Sequence, residues 1–408
     1  MRSARLAALV AVPALAGSPA AGVATPAAAV PAAALPAAGE PCEEGRTQYV
    51  TDTPAGLIRL GARKAWTLAT GRGVTVGVVD SGVARNAHFP AGSVLDGTSV
   101  VGGSERTDGR LHGTAVAGII AARSLGTTSG VEGLAPDARI LPVKVVPDEQ
   151  QAQDGPDTDA GTLAEGITYA VDHGARVVNV SLSTGTDDAR LRAAVAHARA
   201  RKVLVVASAG NTTQDAPVRA PRYPAAYPGV LGVAATDASD RATATSVRGT
   251  HVDVAAPGVQ VLTTYGAWGD CYLDSDAGST SYATAYVSAA AALLAQRFPA
   301  EGPDLWAHRL EVTAARDRRD ARDDAVGWGV VQPVEALTAV LDAGMAGPPL
   351  PGSTPQPRAT VATTRLAVAD VPDPAAADRR QVLWVAVAAG TALLGLALVR
   401  LARRRGTA

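Results

Sequence analysis

An acid, a base and a nucleophile follow one another along this chain, each at a point where secondary structure would hold it. Asp80 ends the apolar run Val74-Thr-Val-Gly-Val-Val79 and is followed at once by Ser81-Gly82, a turn. His112 opens His-Gly-Thr-Ala-Val-Ala-Gly118, whose small residues suit a closely packed helix. Ser281 lies in Ser279-Thr-Ser281-Tyr-Ala-Thr-Ala285, at the start of a long alanine-rich helical pattern. A serine hydroxyl is a poor nucleophile at neutral pH. It acts when an imidazole takes its proton and a buried carboxylate fixes the imidazole's tautomer and balances the imidazolium. A helix start also aims free N–H groups and the positive end of the dipole at an oxyanion forming there. Singly, each residue has a commoner reading: a strand-end turn for Asp80, helix caps for His112 and Ser281. The order Asp, His, Ser is one of the few chain orders such triads use, and with the three flanking patterns it points to acyl transfer through a serine.

The elements that could bring these residues together are legible between Gly56 and Ala343. Short β-branched runs fall at 74–80, 138–146, 175–183, 202–211, 229–237 and 251–258, and amphipathic stretches rich in alanine at 112–123, 162–174 and 188–201. Apolar strands alternating with helices predict βαβ units: a doubly wound α/β fold, its parallel sheet covered by helices on both faces, in one catalytic domain over 56–343. Sites in such folds gather at the C-terminal ends of strands, where Asp80 stands.

Both ends of the chain read as targeting segments. Arg2 and Arg5 precede an apolar stretch and then small residues, which predicts a signal peptide over 1–24, followed by an Ala/Pro-rich extension over 25–55. Residues 344–381 read as a Pro-rich linker. Residues 382–399 carry no charge, enough for one bilayer crossing. Arg400, Arg403, Arg404 and Arg405 follow, against Arg379 and Arg380 before. The positive-inside rule then places the tail 400–408 in the cytoplasm and the catalytic domain outside, for a single-pass protein of the cell membrane. Cys42 and Cys271 would both meet an oxidising compartment and are expected to form one disulfide, clamping the extension beside the Ser281 helix. A net charge of −1 offers no field for nucleic acid. Asp148, Glu149, Asp154, Asp157 and Asp159 lack calcium-loop spacing and read as a solvated loop, so neither metal nor cofactor is expected.

At its chemistry-bearing residues the chain resembles the subtilisin-like serine proteases. Asp80-Ser-Gly82 and His112 through Gly118 stand as in the family pattern, and Ala209-Gly-Asn211 matches the asparagine whose amide donates to the oxyanion. Gly133–Ala138 and Val254–Gly258 match as well. The resemblance implies an Asp80–His112–Ser281 triad, with Asn211 as oxyanion donor, that hydrolyses peptide bonds through an acyl-enzyme. It also implies that Ser181-Leu182-Ser183 and Ala207-Ser208-Ala209 are two edges that pair with an extended substrate. Tyr223 to Pro228 resembles the floor of the family's primary specificity pocket. Around the nucleophile the pattern changes: Ser279 stands where glycine is usual, Ala285 replaces a proline and Ala289 a glycine. The Thr-Ser-x-Ala register still selects Ser281, not Ser279. The short extension, Pro-rich linker, single C-terminal helix and basic tail are similar to the mycosins, membrane-anchored subtilisin-like proteases of actinobacterial type VII secretion systems. That likeness implies a protein or peptide substrate near the export machinery and association with its membrane complex. Two other readings suit the same residues: a catalytically impaired scaffold for such a complex, and a general tethered scavenging peptidase.

Overall fold

The computed structural model describes residues 42–148, 158–212, 218–273, 277–353 and 375–405. The expected signal peptide and most of the expected linker lie outside the described residues. Two short helices, α1 (Ala55–Arg59) and α2 (Ala62–Trp66), lead into β1 (Thr75–Asp80). There follow β2 (Thr98–Ser99), α3 (His112–Ala121), β3 (Arg139–Lys144), α4 (Ala160–Asp172) and β4 (Val177–Val180). Next come α5 (Ala189–Ala200), β5 (Leu204–Ser208), β6 (Val230–Thr236) and β7 (Val254–Pro257). A hairpin of β8 (Val261–Thr264) and β9 (Asp270–Leu273) precedes the long helix α6 (Thr280–Arg297), and α7 (Pro303–Thr313) and α8 (Pro333–Thr338) close the unit.

The main sheet runs β2-β3-β1-β4-β5-β6-β7, every neighbouring pair parallel. From β1 the chain moves outward to β3, then crosses back to β4 on the other side. The crevice at the C-terminal end of β1 is therefore the topological switch point, where open α/β sheets place their sites. Side chains alternate across the sheet with period two. Val76, Val78, Val177 and Val206 face α3 and α6, while Val79, Val143, Val178 and Val205 face α4 and α5. Both faces are covered, which is why these strands are apolar throughout.

Helix α6 is buried from Thr280 to Ala295. Its alanines let it lie close against the sheet, and Ala285 and Ala289, two of the positions that depart from the family pattern, are fully buried in an unbroken helix. The arm beginning at Cys42 is strapped to the β8–β9 hairpin. The Gln48 N–H donates to Trp268 O, Asp270 N–H donates back to Gln48 O, and Val50 N–H donates to the Asp270 carboxylate. Cys42 and Cys271 are joined by a disulfide, Cα atoms 5.9 Å apart and 229 positions apart in sequence. Closing so long a loop is worth roughly 5 kcal/mol in the chain-entropy account.

Residues Gln356–Ala408 form a separate unit. Its helix α9 (Ala376–Arg405) includes Ala377–Leu401, within which an 18-residue stretch has a mean hydropathy of 2.4, long and apolar enough to cross a membrane. The helix runs beyond 382–399 at both ends because the flanking Asp, Arg and Gln residues are compatible with helical backbone, although not with an apolar slab.

Candidate active site

Asp80 ends β1 fully buried, and His112 is the first residue of α3. The preceding Leu111 adopts a left-handed conformation (φ 60°, ψ 0°) that turns the chain sharply into the helix. Such a conformation costs a leucine about 1–3 kcal/mol and persists only where its surroundings enforce it. Gly113 is needed for closeness: a methyl group there would overlap the Gly82 carbonyl oxygen and lie 3.1 Å from Asp80 Cβ. With that approach allowed, His112 Nδ1 lies 2.7 Å from Asp80 Oδ1 and donates to it. The same oxygen accepts the Ser81 N–H at 2.8 Å. Because Nδ1 carries the proton, Nε2 is left as the basic atom of the neutral ring.

A second buried carboxylate stands behind this pair. The Gly113 N–H donates to Ser81 Oγ (3.0 Å), whose own proton goes to Asp108 Oδ1 (2.7 Å). Asp108 Oδ2 accepts from both the N–H and the hydroxyl of Thr114, at 2.7 and 2.6 Å. Burial pushes the Asp108 carboxyl above its usual range, against the lowering effect of these hydrogen bonds. Asp108 thus braces the start of α3 from below. Its signal in the sequence is an acid four residues ahead of a helix-opening histidine.

Ser281 is the second residue of α6, and the ring of the next residue, Tyr282, stacks on the His112 ring with centroids 5.8 Å apart. The Ser281 hydroxyl donates to Ser181 O at 2.8 Å, and Ser181 Oγ donates back to Ser281 O at 2.8 Å. Asn179 completes this stitch between β4 and α6, donating to Ser181 Oγ (2.9 Å) and accepting from Ser288 Oγ (2.8 Å). A lone amide inside Val177-Val-Asn-Val180 was the sequence signal for it. Ser279 has φ −129° and ψ 126°, ordinary extended backbone, so this position does not require glycine; Gly278, at φ 79°, takes the left-handed conformation instead.

Asn211 follows β5. Gly210 N–H donates to Ser208 Oγ (3.1 Å), Ser208 Oγ pairs with Thr280 Oγ1 (2.6 Å), and Thr280 Oγ1 pairs with Asn211 Oδ1 (3.0 Å). The Thr280 N–H also donates to Asn211 Oδ1, at 3.1 Å. A backbone N–H needs an acceptor, so the amide oxygen must face Thr280, and Nδ2 with its two protons faces the other way.

One expectation needs correction. Ala207 and Ser208 are not a free edge: they are interior residues of β5, paired to Val180 of β4 and to Gly232 and Val233 of β6. Ala209 is engaged as well, its N–H on Val233 O and its carbonyl accepting from His251. Backbone groups already spent in the sheet are not open to a substrate strand, so 207–209 form a wall. Ser181–Ser183 instead continue past the end of β4, bordered by Tyr223, which exchanges both backbone hydrogen bonds with Thr184 (2.8 and 2.9 Å). Arg222, unnoticed in the sequence, reaches Ser183 Oγ from Nε and Nη2 at 3.2 and 3.1 Å. Of the acidic stretch, Asp148 pairs with the buried Lys144 and Asp159 caps α4; Glu149, Asp154 and Asp157 lie outside the described residues.

Burial pulls the His112 pKa down, but the charge and hydrogen bond of Asp80 outweigh it and hold the ring above its ordinary value. Acting as a base, His112 would have to be neutral to accept a proton, so activity is expected to fall as pH drops through the raised value. The acidic limb of kcat/KM is therefore expected to have its midpoint above about 6.5, the unperturbed imidazole value. A profile of kcat/KM against pH with its midpoint below 6 would contradict the Asp80 pairing.

Fold and site define a serine endopeptidase of the subtilisin type, and the chain belongs to the subtilase family, whose peptidase S8 pattern matches residues 71–329. Within that family it is similar to the mycosins along most of its length. It is 34% identical to mycosin-1 of Mycobacterium tuberculosis, covering 86% of this chain and 85% of that protein. Thermitase of Thermoactinomyces vulgaris is 38% identical over 61% of this chain and 84% of its own length. A solved structure of the MycP3 protease from the type VII (ESX-3) secretion system aligns with TM-score 0.65 and 30% identity, covering 72% of this chain and 91% of that one.

Proposed function

We propose that Asp80, His112 and Ser281 act as a catalytic triad, with Asn211 Nδ2 and the Ser281 N–H as oxyanion donors, in a membrane-anchored endopeptidase. The observation that supports this reading is the Asp80–His112 hydrogen bond at the switch point of the sheet, with Tyr282, the residue after Ser281, stacked on the His112 ring and the donor face of Asn211 turned away from Thr280. An extended substrate pairs with Ser181–Ser183, and its N–H takes Ser181 O from the Ser281 hydroxyl. Released, the hydroxyl gives its proton to His112 Nε2 as Oγ attacks the scissile carbonyl carbon. The negative oxygen that forms is met by the two donors, and Asp80 balances the imidazolium. His112 then passes its proton to the departing amine, leaving an ester on Ser281. Water, deprotonated by the same imidazole, hydrolyses that ester.

Helix α9 serves as the anchor, with the peptidase domain outside the cell and the arginine-rich tail inside. The substrate is an exported protein, and the enzyme stays associated with a type VII secretion complex; the similarity to the MycP3 protease from the type VII (ESX-3) secretion system, over 72% of this chain, supports this. A fluorophosphonate probe applied to membranes is expected to label Ser281. Protease added to intact cells is expected to digest the domain and spare the tail. An unlabelled, folded wild-type protein would favour the scaffold reading, and a protected domain with a digested tail would reverse the topology.

A further inference from the structure

The N-cap of α6 sits on the chemistry. Ser279 Oγ accepts the Ser281 N–H at 3.2 Å. Serine at an N-cap ordinarily does this for a spare helix donor. Here the donor is the backbone N–H that the oxyanion needs in the triad reading, on which this inference rests. The Ser279 lone pair therefore points into the space where a negative oxygen must form. The family pattern has glycine at this position, and the extended backbone of Ser279 imposes no demand of its own, so the hydroxyl is the whole difference. The nucleophile is parked at the same time, its proton on Ser181 O.

We propose that Ser279 is a brake on acylation: it occupies the oxyanion's backbone donor in the resting enzyme and must swing away in each catalytic cycle before the tetrahedral intermediate is stabilised. Ser279 acts through the Ser281 N–H, so it is a positioning residue. Its effect falls on the transition state and not on substrate pairing along Ser181–Ser183, because no oxyanion exists in the ground state. The same cap holds the first turn of α6, so the brake and the stability of the helix start have one origin.

The test uses the full-length protein in detergent, with Ser279→Gly, Ser279→Ala and Ser279→Thr, a peptide substrate and a fluorophosphonate probe. Freeing one neutral hydrogen bond predicts that the glycine and alanine variants gain about 3- to 10-fold in kcat and in labelling rate, with KM unchanged. Their melting temperatures fall, since a cap is lost. Threonine keeps an oxygen in place and restores both wild-type rates. A purely structural cap would lower stability without raising kcat. If either hydroxyl-free variant is folded and turns over no faster than a labelled wild type, the brake is overturned and the triad stands. If neither the wild type nor any variant reacts with the probe, the triad reading fails and the brake falls with it.

Discussion

Replacing Ser281 by alanine is expected to abolish peptide-bond hydrolysis while the protein stays folded. The loss should be on the order of 10⁴–10⁶ in kcat, because the remaining groups can still bind substrate and polarise its carbonyl but nothing is left to acylate. Stability should change little. The hydroxyl has one hydrogen bond, to Ser181 O, worth about 1 kcal/mol net. Against that loss, alanine is the better helix former by roughly 0.5 kcal/mol. The stitch from Ser181 Oγ to Ser281 O uses the backbone and survives the substitution. Steady-state hydrolysis of a peptide substrate and a thermal melt check the two halves. Wild-type turnover in the alanine variant would remove Ser281 from the mechanism.

Asn211→Ala is expected to lower kcat about 10²- to 10³-fold with KM nearly constant, since its Nδ2 meets charge that exists only in the transition state. This side chain has a second task, and the structure separates the two. Its Oδ1 accepts from the N–H and hydroxyl of Thr280 at the start of α6, so alanine also takes the acceptor from the Thr280 N–H, while the hydroxyl keeps Ser208 Oγ. Asn211→Asp keeps the acceptor and exchanges the donor for a negative charge facing the oxyanion. The aspartate variant should therefore be more stable than the alanine variant yet at least as slow. Kinetics and melting of the two variants side by side make the comparison; kcat within threefold of wild type in Asn211→Ala would exclude the oxyanion role.

Much of the candidate site is legible in the sequence, because its determinants are local. The acid at a strand end, the histidine at a helix start and the nucleophile register in Thr-Ser-x-Ala are each set by a few neighbouring residues. Gly113 is an example: its lack of a side chain lets α3 approach Asp80, and it lies next to the histidine it positions. The α/β alternation was equally readable, since strands covered on both faces must be apolar along their whole length. The membrane-length helix follows from composition alone.

What needed the tertiary structure was everything that depends on partners distant in sequence. The family resemblance offers Ala207–Ala209 as a substrate edge because the likeness of a short segment does not tell which strands flank it; the sheet order shows β5 enclosed by β4 and β6. The Ser181–Ser281 exchange joins residues 100 positions apart, and the orientation of the Asn211 amide is decided by Thr280, 69 positions away. Ser279 was visible as an unusual residue, yet what its hydroxyl touches depends on the path by which the chain enters α6. The sequence by itself determined the elements and the strand end and helix starts at which the candidate residues stand, because short-range sterics and burial period encode both. The tertiary structure decided which hydrogen-bonding groups remain open to a substrate, because a donor or acceptor is open only when no other part of the fold has taken it.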